Sequence, residues 1–120
     1  MDVTRERFEE LVADAVDGLP EELGNAVDNV AMVVEDWPTR AQLGGRGGTL
    51  LGLYEGIPLT HRSPLSYSAV APDRITIFHG PISERCATED ELITMIRETV
   101  IHEYAHHFGI SDERLDELGW

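Results

Sequence analysis

The chain is short of several things, and each shortage excludes a class. It has one cysteine, Cys86, so no internal disulfide can form and a disulfide-stapled scaffold is excluded. Aromatic residues make up only 7%, so aliphatic side chains must fill most of any core. Cations are scarce: 9 Lys and Arg stand against 23 Asp and Glu, a formal charge of −14. Phosphate binding needs clustered cations, so nucleic acid is excluded as a general partner, and an anionic membrane surface with it. No apolar run approaches the ~20 residues that cross a bilayer. The segment Met1–Phe8 is charged and lacks the apolar stretch of a signal peptide. The expected location is cytoplasmic. What is present, 120 residues of which 42% are hydrophobic, fits one domain over 1–120 with a modest core. Its acidic surface reads as a solvated face that can also attract a basic partner.

The hydrophobic pattern alternates between helix and strand signals. Phe8, Leu11, Val12, Ala15 and Val16 recur at helical spacing, so residues 4–17 read as an amphipathic helix with Thr4 as N-cap and Gly18 and Pro20 as stops. Pro20 can open a short helical turn through Leu23. Val30–Val34 reads as a buried strand closed by Asp36 and Pro38. Residues 38–49, with Gly44, Gly45, Gly47 and Gly48, read as a mobile loop. Gly44–Thr49 lacks the G-K-[ST] ending of a phosphate-binding loop. Leu50–Ile57 reads as a second strand, residues 58–73 as a long connection, and Arg74–His79 as a half-buried third strand ended by Gly80 and Pro81. Thr88 and Glu91 form a capping-box pair at the start of a long helix that runs to about Phe108. Leu92, Ile93, Ile96, Val100, Tyr104 and Phe108 form its buried stripe. Gly109 is the expected left-handed C-cap, and Ser111 caps a last short helix. The fold class is α+β: a small mixed sheet of about three strands packed on an N-terminal helix and the long helix.

The chemistry concentrates near the end of that long helix, at His102-Glu103-Tyr104-Ala105-His106. Residues four apart lie one turn apart on one helix face, so His102 and His106 can reach a single zinc ion. Glu103 is rotated about 100° from His102. It stands beside the ion without having to ligate it, where a general base for an attacking water belongs. A catalytic zinc site needs a third protein ligand and one open position. Gly109 permits a sharp turn, and Asp112 returns at the spacing H-E-x-x-H-x-x-G-x-x-D. Glu113 and Asp116 compete for the third place, and motif spacing favours Asp112; Asp116 would then suit an acceptor for a ligand imidazole.

The run His102–Asp112 resembles the extended motif of metzincin-type peptidases, with Asp where the third ligand is usually His. With Asp36-Trp37-Pro38 and Leu51–Leu59, the chain resembles the minimal zincin-like metallopeptidase family of short bacterial proteins. The resemblance implies a zincin-like fold, Zn²⁺ held by His102, His106 and Asp112, Glu103 as the catalytic residue, and a peptide or protein substrate. Metzincins also carry a methionine turn and a lower subdomain downstream of the third ligand, whereas Met1, Met32 and Met95 all lie upstream of Asp112 here. The expectation therefore includes a protein partner that completes the cleft. Two readings stay open: a zinc metallopeptidase, and a zinc-binding interaction module or incomplete peptidase that hydrolyses nothing alone. A purely structural metal site is a third.

The other candidates carry less. His107 points about 100° away from His106 and reads as a surface histidine at the helix end. In zincins an edge strand runs above the zinc helix and pairs with extended substrate; if Arg74–His79 is that strand, His79 lies near the cleft. His61 falls in a loop. Tyr67 and His107 are the candidates for oxyanion stabilisation, and neither is assigned. Cys86 lacks a His/Asn framework and reads as a small buried or loop residue.

Overall fold

The computed structural model describes residues 1–19, 30–45, 47–56 and 73–119. In chain order their elements are α1 (Arg5–Asp17), β1 (Val30–Glu35), α2 (Arg40–Leu43), β2 (Gly52–Glu55), β3 (Asp73–Phe78), α3 (His79–Glu84), α4 (Glu89–His107) and α5 (Asp112–Leu118). The expected turn after Pro20 and the connection after Gly56 lie outside the described residues, as do His61 and Tyr67.

α1 forms for the reasons its sequence gives. The Thr4 side chain accepts a hydrogen bond from the Arg7 amide, and the helix ends at Gly18. Phe8, Leu11, Val12 and Ala15 are the buried face. Burying a large apolar side chain of this kind contributes about 1.5–3 kcal/mol. The sheet has the order β1-β3-β2. β1 runs parallel to β3 with Val30 opposite Asp73, and β2 runs antiparallel with Gly52 opposite Ile77 and Tyr54 opposite Ile75. β3 is the central strand, which is why Ile75, Thr76, Ile77 and Phe78 are all fully buried rather than alternating. α4 packs against α1, β2 and β3, and its Leu92, Ile96, Val100 and Tyr104 join Phe8, Leu11, Ile75 and Ile77 in one core. The α+β expectation of a three-stranded mixed sheet on an N-terminal and a long helix holds.

Three local readings differ. Residues 40–43 form a helical turn inside the expected loop, capped by a full capping box between Thr39 and Gln42. Gly80 and Pro81 do not merely end β3; they fall in the first turn of α3, where a proline's missing N–H leaves no helical bond unmade. The third strand is central and not at an edge, so His79 has a different surrounding from the one expected. Its Nε2 lies 2.8 Å from the Val3 carbonyl and its Nδ1 3.4 Å from Asp36, with the ring against Phe8. His79 ties the N-terminal arm to the sheet.

Candidate metal centre

α4 starts as its sequence dictates: the Thr88 side chain accepts from the Glu91 amide, and Glu89, Asp90 and Glu91 occupy the first turn, where carboxylates suit the positive end of the helix dipole. Its other end matters more. The Gly109 amide bonds to the His106 carbonyl at 3.0 Å and the Ile110 amide to the Ala105 carbonyl at 2.9 Å, with Gly109 at φ 74°. This is a Schellman turn around a left-handed glycine. It reverses the chain so that Ser111 can cap α5, its side chain accepting from the Arg114 amide. Asp112, first residue of α5, is thereby brought back toward α4.

The result is a line of three side chains. Glu103 Oε1 lies 3.3 Å from His106 Nδ1, and His106 Nε2 lies 3.7 Å from Asp112 Oδ1. The carboxylate beside Nδ1 fixes that nitrogen as the N–H donor. Nε2 then turns its other, lone-pair position toward a second carboxylate. Two such groups repel unless a cation, either a proton or a metal, lies between them. The His106 imidazole is accordingly held above its usual pKa, first by the hydrogen bond to Glu103 and also by the charges of Glu103 and Asp112, against burial that works the other way. The separation suits a metal as well: ligand atoms ~2.0–2.2 Å from a tetrahedral zinc stand about 3.4 Å apart. His102 lies one turn earlier on the same face of α4 and is half-buried, like His106. Among the described residues no group of three His, Cys, Asp or Glu side chains converges on one point. The fold juxtaposes His106 and Asp112, and His102, one turn before His106, makes no ion pair with Asp112 among the described residues. Glu113 and Asp116 make no ion pair with either histidine among the described residues, whereas Asp112 does.

Glu103 is 9% exposed, an unusual degree of burial for a carboxylate. Apart from the His106 contact, no further hydrogen bond to its carboxylate forms among the described residues. β2 approaches it closely at Gly52: a Cβ there would stand 2.8 Å from Thr99 Cγ2 and 3.0 Å from Glu103 Cγ. Glycine is what lets this strand lie against the helix at the position of the carboxylate. Among the described residues β2 is an edge of the sheet, and its Gly52 lies against Glu103 of the motif.

Two buried groups depart from the sequence reading. His107 is not a surface histidine: it is 2% exposed, and its Nδ1 donates to Asp73 Oδ2 at 2.5 Å. Asp73 had no local signal, since its partner lies 34 residues away. Tyr104 is fully buried in the core, and burial raises its hydroxyl pKa. Cys86 is buried as expected, its Sγ 3.9 Å from Met95 Sδ, and burial pushes its thiol pKa up.

The sheet, the capped helix and the H-E-x-x-H segment returning through Gly109 to Asp112 define a zincin-type architecture. The profile of the zincin-like metallopeptidase family matches residues 27–120, and the chain belongs to that family. A solved structure of a conserved hypothetical protein from T. thermophilus is similar over 97% of each chain, at 25% identity and a TM-score of 0.56. No protein of curated function matches the chain significantly.

Proposed function

We propose that the protein is a zinc-dependent metallopeptidase, with His102, His106 and Asp112 as metal ligands and Glu103 as general base. The observation that carries this reading is the arrangement around His106: Nδ1 bound to Glu103, Nε2 facing the Asp112 carboxylate across a 3.7 Å gap that only a cation makes favourable. Two imidazoles and a carboxylate are a donor set that suits zinc. Bound there, zinc would act as a Lewis acid that lowers the pKa of water and polarises a carbonyl.

The remaining work falls to the chain. Glu103 Oε1 accepts from His106 Nδ1–H and so holds the imidazole tautomer that leaves Nε2 as a ligand atom. The other carboxylate oxygen of Glu103 takes the proton of the attacking water and later delivers it to the leaving amine. Burial of Glu103 limits competing solvent. Among the described residues β2 is a sheet edge, along which a peptide substrate can add as a further strand.

The test is a comparison of Glu103→Gln with His102→Ala on a broad peptide library. The parent chain cleaves and a chelator abolishes cleavage. Glu103→Gln keeps stoichiometric zinc and loses about 10²–10⁴-fold in rate, while His102→Ala loses zinc and activity together. Full activity in Glu103→Gln would remove Glu103 from the role of base. Zinc binding without any hydrolysis by the parent chain would replace the peptidase reading with that of a binding module.

A further inference from the structure

Asp73, His107 and Tyr54 form a buried polar network that the chemistry above does not use. Asp73 Oδ2 accepts from His107 Nδ1 at 2.5 Å and from the Tyr54 hydroxyl at 2.8 Å. Asp73 and His107 are 1% and 2% exposed. The Tyr54 ring stands edge-on to the imidazole at 5.9 Å. Three elements meet here: Asp73 begins β3, Tyr54 lies in β2, and His107 is the last residue of α4. The backbone closes over the network at Gly56, where a Cβ would stand 2.4 Å from Asp73 Oδ1.

A buried carboxylate on a histidine is an expensive way to fill space, because apolar side chains of similar volume often pack as well or better. What it supplies is a fixed direction. Helix ends fray, and the last turn of α4 carries His106 next to His107, rotated from it by about 100°. Pinning His107 to the sheet fixes the rotation of that turn. It thereby fixes where His106 aims and where the Gly109 turn delivers Asp112. We propose that Asp73, acting through His107 and braced by Tyr54, is a positioning residue for the metal centre, coupling the substrate-side strand β2 to the ligand turn of α4. This rests on the metal reading given above.

The test is zinc affinity, measured by competition with a chromogenic chelator for the parent chain, Asp73→Asn and Tyr54→Phe, with thermal unfolding of each metal-free protein recorded in parallel. Asp73→Asn should bind zinc about tenfold more weakly, at the low end of what outer-shell partners of metal sites contribute, and Tyr54→Phe more weakly than the parent by a smaller factor. The visible spectrum of the cobalt(II)-loaded variants should shift from that of the parent. A purely structural network would lower the Tm and leave the affinity of the folded protein and the cobalt spectrum unchanged. Affinities within twofold of the parent, with an unchanged cobalt spectrum, would overturn this role while leaving the metal reading intact. Failure of the parent chain to bind zinc would overturn the metal reading and this role with it. Should Asp73→Asn fail to fold, Tyr54→Phe decides alone, since it removes a single hydroxyl.

Discussion

A single imidazole with a carboxylate on each side is the residue-scale feature from which the functional reading grows. His106 can satisfy both Glu103 and Asp112 only with a positive charge at Nε2, and a ligand-binding role makes use of that conflict. The Cys86 thiol, just before the opposite end of α4, shows the opposite treatment. Cys86 is 4% exposed, and its thiol is held above its usual pKa mainly by burial, with a further push from the Glu91 charge. Thiol reagents attack the thiolate, so both access and ionisation protect it. In the native protein at pH 8, alkylation of Cys86 should be at least about tenfold slower than in the urea-unfolded chain, because burial withholds the thiolate that reacts. Equal rates, followed by mass spectrometry, would show that this part of the core opens freely.

Elements place the residues, and two glycines show how. Gly52 permits β2 to lie on α4; adding a methyl forces Thr99 or Glu103 to move. Gly52→Ala should therefore destabilise by roughly 1–3 kcal/mol, as overpacking does, and should lower activity beyond the stability loss because Glu103 is displaced; chemical denaturation alongside rate measurements separates the two. Gly109 at φ 74° makes the Schellman turn. Gly109→Ala should cost about 1–2 kcal/mol for the left-handed conformation, and a calorimetric titration should show weaker zinc binding as Asp112 is displaced. These devices are legible in the sequence to different degrees. Thr88, Gly109 and Ser111 announce the ends of α4 and the start of α5 because capping is local chemistry. The Thr39–Gln42 capping box of α2 carries the same signal, hidden by the glycines that follow it. α3 is masked when Pro81 is read as a stop, although a first-turn proline also fits a start. The Asp73–His107 pair has no sequence signature, because no periodicity links a strand's first residue to a distant helix's last. β3 reads as half-buried because central and edge strands differ by their neighbours and not by their own pattern.

For the whole molecule, the helix at one end of the chain and the metal-motif helix near the other are packed together, α1 on α4, with an ion pair between Arg7 and Glu89 joining their first turns. Metal binding at the proposed site would therefore be linked to the stability of the whole domain. Zinc at a hundred times its Kd should add about 2.7 kcal/mol to the stability, a Tm rise of about 10 °C for a domain of this size, reversed by a chelator. A scan showing no zinc-dependent shift would contradict the proposed site. The turn at Gly109 has one more consequence, in the order of assembly. With the ligands where we propose them, the whole donor set lies on one contiguous stretch of chain, and closing it costs little loop entropy. The parallel pairing of β1 with β3 must instead wait for segments far apart in sequence to meet. Forming the ligand turn is thus a local event, decided within the end of α4 and its glycine cap, whereas the walls around it take shape only when distant segments of the chain have paired.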